Sequence, residues 1–296
     1  MNFASCRVKL REMHYTTLID PASLAPLLGQ QGMAIVDCRF ELAASSAGRE
    51  AYLKAHIPGA GFADLNKDLS VPPDKDSGRH PLPDKARFAS VLGALGVDRS
   101  TQVFAYDQAS GAFAARFWWM LRWLGHPRVA VLDGGFDAWR APGGNVEVGA
   151  HRLAPRHYEL RAAGERPVTS QEVLAATARR DRLIVDARAP ERYSGQVEPL
   201  DTVAGHIPGA INAPFNGNLG ATGQFLPAPE LRRRWLQILR GTPPQNLIAM
   251  CGSGVTACHN LLALEVAGLP GASLYAGSWS EWIRDPARPI ALGSTP

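Results

Sequence analysis

The sequence contains a long internal repeat, which constrains the fold more than any other feature. Four pairs of segments match in the same order, at separations of 143 to 150 residues. The pairs are AIVDCR (34–39) and LIVDAR (183–188), AHIPGA (55–60) and GHIPGA (205–210), VFAYD (103–107) and LIAMC (247–251), and the stretches from Gly125 to Trp139 and from Gly268 to Trp282. Segments that recur in one order indicate a duplicated domain.

Within each copy, short apolar segments alternate with stretches of helical periodicity. The first copy predicts helices over 24–28, 88–95 and 113–124, strands over 34–37 and 103–107, and a strand and turn over 129–135. In the second copy, 247–250 predicts a strand, and a helix follows that ends at Gly268. Apolar strands interleaved with helices predict an α/β fold, in which a mostly parallel sheet is flanked by helices.

The length of the chain suits two such domains. A chain of 296 residues is long for one core and sufficient for two domains of about 100–150 residues each. We predict a first domain over 13–150 and a second over 167–296. Between them, 151–166 is polar, rich in arginine and weakly periodic, and is predicted to be a linker. We expect the residues before Met13 to lie outside the first domain.

Composition narrows the classes of function. The net charge is +4 and the pI is about 9.0, without a basic run, which suits a small anionic substrate better than nucleic acid. The four cysteines do not resemble a disulfide framework, so we expect a reducing compartment, the cytoplasm. The N-terminus lacks the apolar core of a secretory signal, and no 18-residue apolar span predicts a membrane helix.

Cys251 is the residue that most suggests chemistry, because it lies between a predicted strand and a glycine-containing turn into a helix. The turn reads Gly252-Ser253-Gly254-Val255-Thr256. The first N–H groups of a helix have no partner inside it, and together with the helix dipole they stabilise an anion. The position therefore favours a thiolate. A cysteine that is only a buried apolar residue would not need glycines on both sides of Ser253.

Three other types of site could be built on this segment. Residues 252–257 fit the G-x-G-x-x-A dinucleotide pattern, but the acidic residue expected about twenty residues later is missing. A zinc site from Cys251, Cys258 and His259 lacks the usual spacing of a cysteine pair. A phosphatase loop of the C-x₅-R kind needs an arginine as the sixth residue after the cysteine, and Ala257 occupies that position.

The first copy has Asp107 where the second has Cys251, and its segment from there to the following glycine is one residue longer. A carboxylate cannot take up a sulfur atom and pass it on. We therefore predict that the first domain is a non-catalytic partner that closes the cleft. The Asp-x-Arg segments and the histidines of the HIPGA segments occur in both copies, and we predict that they are structural.

The repeat of VD-x-R, HIPGA and a strand-loop-helix with cysteine only in the second copy resembles the rhodanese-type sulfurtransferases. Its loop, Cys251 to Ala257, resembles the branch of that family that uses 3-mercaptopyruvate. Members that use thiosulfate carry basic residues just after the cysteine, and this loop has none. The resemblance implies two tandem rhodanese-like domains and a sulfurtransferase without metal or organic cofactor.

The resemblance also implies roles for individual residues. Cys251 would be the nucleophile that accepts sulfur as a persulfide and passes it to cyanide, a small thiol or a thioredoxin-like protein. Ser253 would help to protonate the enolate of pyruvate. Arg192 would bind the donor's carboxylate, and His80 would face the cleft from the first domain. The rest of the substrate-binding loop would be formed by Gly252, Gly254, Val255 and Thr256.

This sequence departs from the family pattern at two positions. Pro199 stands where a second carboxylate-binding arginine is expected, and Asn66 stands where an aspartate would assist the histidine. Because of the first departure, one of the two expected contacts with the carboxylate of the sulfur donor has no residue to make it. The second departure argues against a serine–histidine–aspartate relay. Two alternatives to 3-mercaptopyruvate transfer remain, a thiosulfate sulfurtransferase and a non-catalytic persulfide carrier.

Overall fold

The computed structural model describes residues 14–161, 164 and 166–295, so the predicted start at Met13, the residues before it and Cys6 lie outside the described part. The first half contains a five-stranded parallel sheet with strand order β1-β5-β4-β2-β3. Its strands are β1 (Leu18–Ile19), β2 (Met33–Asp37), β3 (Ala60–Phe62), β4 (Gln102–Tyr106) and β5 (Val129–Leu132).

The second half contains a four-stranded parallel sheet with strand order β7-β6-β8-β9. Its strands are β6 (Leu183–Asp186), β7 (Ile211–Asn212), β8 (Leu247–Met250) and β9 (Ser273–Leu274). Strand β8 pairs with β6 as β4 pairs with β2, with Leu183 opposite Leu247 and Met33 opposite Gln102. The duplicated α/β architecture that the repeat predicted is therefore confirmed.

Helices connect the strands in both halves. They are α1 (Pro21–Leu24), α2 (Ala47–Lys54), α3 (Lys85–Ala94), α4 (Ala114–Trp123), α5 (Gly135–Arg140), α6 (Ser170–Arg179), α7 (Pro190–Tyr193), α8 (Ala228–Leu239), α9 (Ala257–Val266) and α10 (Ser278–Trp282). Short 3₁₀ turns occur at Ala25–Leu27, Phe215–Asn218 and Pro244–Asn246. Among the described residues, no helix is both long and apolar enough to cross a bilayer.

The predicted helix over 24–28 is wrong in its position. Helix α1 begins at Pro21 and ends at Leu24, because the Asp20 side chain accepts a hydrogen bond from the Ser23 amide and proline suits the first helical position. The chain then tightens into the 3₁₀ turn Ala25–Leu27, since Pro26 cannot donate the hydrogen bond that an α-helix needs there.

Strand residues alternate between two apolar layers in the first sheet. Val36 and Ala105 point into one cluster with α4, whereas Ile35 and Phe104 point into another with Phe136 of α5. The sheet is thus covered on both faces, which explains why its strands are almost continuously apolar.

Helices α4 and α9 pack against each other and join the two halves into one core. The largest apolar cluster contains residues of both halves, including Trp118 and Trp119 of α4 and Leu261 of α9. Between the halves, described residues 151–161 form no helix or strand, but the Tyr158 side chain is buried. The boundaries 13–150, 151–166 and 167–296 stay a prediction.

The repeated polar segments have the same geometry in both halves. Arg39 forms a double hydrogen bond with Asp37 and a further one with the Ala55 carbonyl. Arg188 does the same with Asp186 and the Gly205 carbonyl. These pairs anchor the HIPGA segment beside its strand, as expected for structural residues.

Candidate active site around Cys251

Cys251 follows strand β8 directly and lies at the carboxyl end of the second sheet, where parallel sheets gather ligands. The Gly254 amide donates a hydrogen bond to its Sγ atom at 3.1 Å, and only 2% of Cys251 is exposed. The Cys251 amide donates to Ser278 Oγ at 3.0 Å. The sulfur is therefore held in place and has a hydrogen bond that suits an anion.

The ring of amides expected around the sulfur is only partly present. Among the hydrogen bonds of the described residues, Gly254 alone donates a backbone amide to the sulfur. The carbonyls of Val255 and Thr256 accept hydrogen bonds from the first turn of α9, from Cys258 and His259. Val255 is buried and Thr256 is half-buried, so both shape the loop.

Both loop glycines are needed for close approach. Gly254 has a φ of +75°, and a Cβ there would collide with the backbone of Ala276. A Cβ on Gly252 would lie 2.9 Å from Nη2 of Arg79 and 3.3 Å from Nη1 of Arg192. Glycine at position 252 thus leaves room for two guanidinium groups beside the loop.

His80 lies next to Ser253, although it belongs to the first half of the chain. Its Nδ1 atom is 2.8 Å from Ser253 Oγ. Burial, together with the nearby charges of Arg116 and Arg79, lowers the pKa of His80 from 6.5 to about 3. The imidazole is therefore neutral at pH 7 and can exchange a proton with the serine hydroxyl.

The acidic member of a relay is not in place. Among the described residues, no carboxylate hydrogen bonds to His80, whose ring contacts Ser253. The backbone amide of Asn66 instead donates to Oδ1 of Asp64 within the same turn, at 2.8 Å. The geometry agrees with the sequence argument against a serine–histidine–aspartate relay.

Arg192, the predicted carboxylate-binding residue, lies beside Gly252 but already contacts two carboxylates. Its Nη2 atom donates to Glu198 at 2.7 Å and to Asp201 at 3.1 Å. Asp201 also pairs with Arg79, which comes from the first half. Two guanidinium groups thus lie beside a loop that itself contains no basic residue.

Sequence reasoning missed Arg79, whose only sequence signal is its place directly before His80. The site therefore has a second guanidinium group although Pro199 cannot supply one. That group comes from the other half of the chain and not from position 199, seven residues before the histidine of the second HIPGA segment, where the family pattern places it.

Arg116 of helix α4 is a second residue that sequence reasoning missed. It is fully buried, and its guanidinium group donates to the carbonyls of Gly254, His80 and Leu69 at 3.0, 3.1 and 3.4 Å. Among the described residues no carboxylate pairs with it, and its Nε atom has no hydrogen-bond partner. Burial lowers the pKa of Arg116, whereas negative charge on Cys258 or Cys251 would act in the opposite direction.

Asp107 shows what the first half has in place of a reactive thiol. Its carboxylate accepts hydrogen bonds from the amides of Gly111, Phe113 and Ala114 at 2.8 to 3.1 Å. Burial raises the pKa of Asp107, and these amide bonds oppose that rise. The loop in the first half is thus occupied by a side chain of the protein.

Cys258 and His259, which would form a zinc site with Cys251 in the interpretation that the sequence disfavours, form contacts with other groups. The thiol of Cys258 donates to the Gly254 carbonyl, and Nε2 of His259 lies 2.9 Å from the Ser110 carbonyl. His259 also stacks on Phe225. Within residues 14–161, 164 and 166–295, no group of three or more histidine, cysteine or acidic side chains is arranged to hold a metal ion.

Comparison with known proteins agrees with this geometry. A model of the rhodanese-like domain matches the chain twice, over residues 20–142 and 169–285. A probable 3-mercaptopyruvate sulfurtransferase of Pseudomonas aeruginosa is 48% identical over 283 residues, which cover 95% of this chain and 100% of that protein. A putative thiosulfate sulfurtransferase, SseB of Mycobacterium tuberculosis, is 39% identical over 287 residues, 94% of this chain and 97% of that protein.

A solved structure gives the same result for the fold. The crystal structure of SseA from Escherichia coli, a 3-mercaptopyruvate sulfotransferase, superimposes with a TM-score of 0.74 at 33% sequence identity. The superposition covers 90% of this chain and 100% of that one. The similarity therefore extends over both halves.

Proposed function

The chain belongs to the rhodanese-like family, and from this premise we propose that it is a 3-mercaptopyruvate sulfurtransferase with Cys251 as its nucleophile. The observation that carries the proposal is the group of residues around one thiol. The Gly254 amide donates to the sulfur, and Ser253 of the same loop contacts His80 of the first half. Such a group can stabilise a sulfur anion and move a proton.

The reaction follows from these positions. The thiolate of Cys251 attacks the sulfur of 3-mercaptopyruvate, a new S–S bond forms, and the donor's C–S bond breaks. Its electron pair goes to the methylene carbon as the enolate of pyruvate. The proton lost by the donor thiol reaches that carbon through Ser253 and neutral His80, which leaves pyruvate and a Cys251 persulfide anion.

The acceptor completes the cycle. A thiolate, from a small thiol or a thioredoxin-like protein, attacks the outer sulfur of the persulfide and restores the Cys251 thiolate. Cyanide would leave as thiocyanate in the same way. Cys38 and Cys251 are free thiols, which is compatible with a reducing compartment, and we propose the cytoplasm as the setting.

A direct test follows the sulfur atom. Treatment with 3-mercaptopyruvate should add one sulfur to Cys251 and release pyruvate, and Cys251→Ser should abolish both. Cys38→Ala is the matched control, because burial holds the pKa of Cys38 well above its usual range and keeps it a thiol. Sulfur on Cys38 or Cys258, with pyruvate release retained in Cys251→Ser, would show that the nucleophile is wrong.

Thiosulfate transfer is the second candidate, because two guanidinium groups lie beside Gly252. In addition, a relative named as a putative thiosulfate sulfurtransferase is 39% identical to this chain. We expect kcat/KM for 3-mercaptopyruvate to exceed that for thiosulfate by at least about tenfold, or about 1.4 kcal/mol in transition-state binding. Equal or reversed values would favour thiosulfate. A single loading with either donor and no turnover with thiols would indicate a persulfide carrier.

A further inference from the structure

Two guanidinium groups from different halves of the chain meet beside the catalytic loop. Nη2 of Arg79 and both terminal nitrogens of Arg192 lie within 3.4 Å of the position that a Cβ of Gly252 would occupy. Of these, Nη2 of Arg79 and Nη1 of Arg192 form no hydrogen bond with the described residues, whereas the other terminal nitrogen of each group does. Each arginine therefore has one unpartnered terminal nitrogen beside the loop.

The other terminal nitrogens of the two groups are bridged by one carboxylate. Asp201 places Oδ1 against Nη1 of Arg79 and Oδ2 against Nη2 of Arg192. Its side chain is 4% exposed, so water screens this bridge little. The bridge crosses the boundary between the halves and fixes the distance between the two cations.

Glu198 adds a second negative charge. It accepts hydrogen bonds from Nε and Nη2 of Arg192, and its side chain is also 4% exposed. Burial acts to raise the pKa of Glu198, but the bonds from Arg192 prevail and lower it, so this carboxylate is ionised at neutral pH. Glu198 also pairs with Arg188, whose other carboxylate partner is Asp186. The three arginines of this network, Arg79, Arg188 and Arg192, are therefore matched by three carboxylates.

This balance distinguishes anions by their charge. A donor with one negative charge can use the two unpartnered terminal nitrogens and adds one charge to a neutral group. A donor with two charges is attracted by the arginines and repelled by Asp201 and Glu198 twice as strongly as a donor with one, since Coulomb energy is proportional to the product of charges. Each of these carboxylates therefore removes twice as much binding free energy from a dianion as from a monoanion.

We propose that Asp201, by bridging Arg79 and Arg192, shifts the selectivity of this site toward sulfur donors that carry one negative charge and away from donors that carry two. The inference rests on the proposed function, because it assumes that the donor binds beside Cys251. It assigns Asp201 a role in specificity, although Asp201 need not touch the donor.

The test is the ratio of kcat/KM values for 3-mercaptopyruvate and thiosulfate in wild type and in Asp201→Asn, which keeps the side-chain shape and removes one charge. We expect the ratio to move toward thiosulfate by at least about fivefold, because the dianion gains more from the lost repulsion. A second readout is competitive inhibition, in which sulfate should gain more affinity than pyruvate. An unchanged ratio together with unchanged sulfate inhibition would overturn the proposal.

Asp181→Asn is the matched control, because it makes the same change in net charge. Asp181 precedes strand β6 and thus lies at the amino end of the sheet, opposite to Cys251. This variant should leave the donor ratio as it is in wild type. A shift of equal size in the control would mean that net charge alone sets the ratio, and would overturn the role of Asp201.

Glu198→Gln provides a second variant if Asp201→Asn does not fold. It removes a charge from the same group and should shift the ratio in the same direction, and no shift in a folded Glu198→Gln would contradict the proposal. The two levels of inference can be separated in the wild-type protein. Failure to form a Cys251 persulfide from 3-mercaptopyruvate refutes the proposed function, whereas normal persulfide formation with a donor ratio insensitive to both variants refutes only the role of Asp201.

Discussion

Arg116 of the first half donates a hydrogen bond to the carbonyl oxygen of Gly254, the residue whose amide donates to the sulfur of Cys251. A buried cation of the first half thus holds a residue of the second-half loop that itself contacts the thiol. The same guanidinium group holds the carbonyl of His80, which contacts Ser253. The first half has no thiol at position 107, yet it positions three groups at the active site: Arg79, His80 and Arg116.

We predict that Arg116→Met lowers kcat/KM with both sulfur donors by at least about tenfold, or about 1.4 kcal/mol. Hydrogen bonds to charged groups contribute about 1.5–3 kcal/mol, and their loss would release Gly254, whose carbonyl accepts from Arg116 and whose amide donates to the sulfur. Arg116→Lys should restore only part of the activity, because one ammonium group cannot span three carbonyls. Steady-state kinetics and thermal unfolding would be measured on each variant.

Arg99→Met is the control for loss of stability alone. Arg99 also belongs to the first half and donates to two carbonyls, those of Leu124 and Gly125. This variant should unfold at a lower temperature and keep the wild-type kcat/KM below that temperature. If Arg116→Met lowers only the unfolding temperature, then Arg116 has no specific role in positioning the loop.

The pH dependence of stability should report His80. Its pKa is about 3 in the folded protein, against about 6.5 for an exposed histidine. Below pH 6.5 the unfolded chain binds a proton that the folded protein does not, so His80 contributes stability that is complete above pH 6.5 and declines as the pH falls. Between pH 7 and pH 5 this loss amounts to about 2 kcal/mol.

Urea unfolding of wild type and His80→Asn at pH 7 and pH 5 would measure this contribution. The variant should lose about 2 kcal/mol less than wild type over that interval. His126 and His259 have pKa values of about 4 for the same reason, burial, and remain in both proteins, so they cancel in the comparison. Equal losses in the two proteins would mean that His80 is accessible to protons in the folded state.

The sequence predicted the parts of the site that depend on local order. The strand, the glycine turn and the helix around Cys251 lie within about twenty residues of each other, and each has a local signal in hydrophobic periodicity or in glycine placement. The pairing of the two halves followed from the repeat. Both features depend on what neighbouring residues impose on the backbone.

The parts that were missed depend on contacts across the interface between the halves. Arg116 is separated from Gly254 by 138 residues, and Arg79 is separated from Asp201 by 122. No periodicity links such positions, so neither arginine could be placed at the site from its neighbours in the sequence. The charge of Arg116 among the apolar residues of the first turns of α4 was an available signal, since a buried guanidinium group needs polar partners.

The last prediction concerns Asp107→Cys, which places a thiol in the first half at the position equivalent to Cys251. We expect no second persulfide. The Asp107 carboxylate uses two oxygens to accept bonds from Gly111, Phe113 and Ala114, and one sulfur atom cannot satisfy all three. The unsatisfied amides should lower the free energy of unfolding by roughly 1–3 kcal/mol.

Mass spectrometry of Asp107→Cys after treatment with 3-mercaptopyruvate should therefore show one added sulfur, on Cys251. The double variant with Cys251→Ser is the control, because it removes the native nucleophile and should neither gain sulfur nor release pyruvate. Two added sulfurs per chain, or activity in the double variant, would show that a thiol at the end of β4 suffices for catalysis. Such a result would also mean that His80, Arg79 and Arg116 are not required to make a half catalytic, because all three contact the loop of the second half.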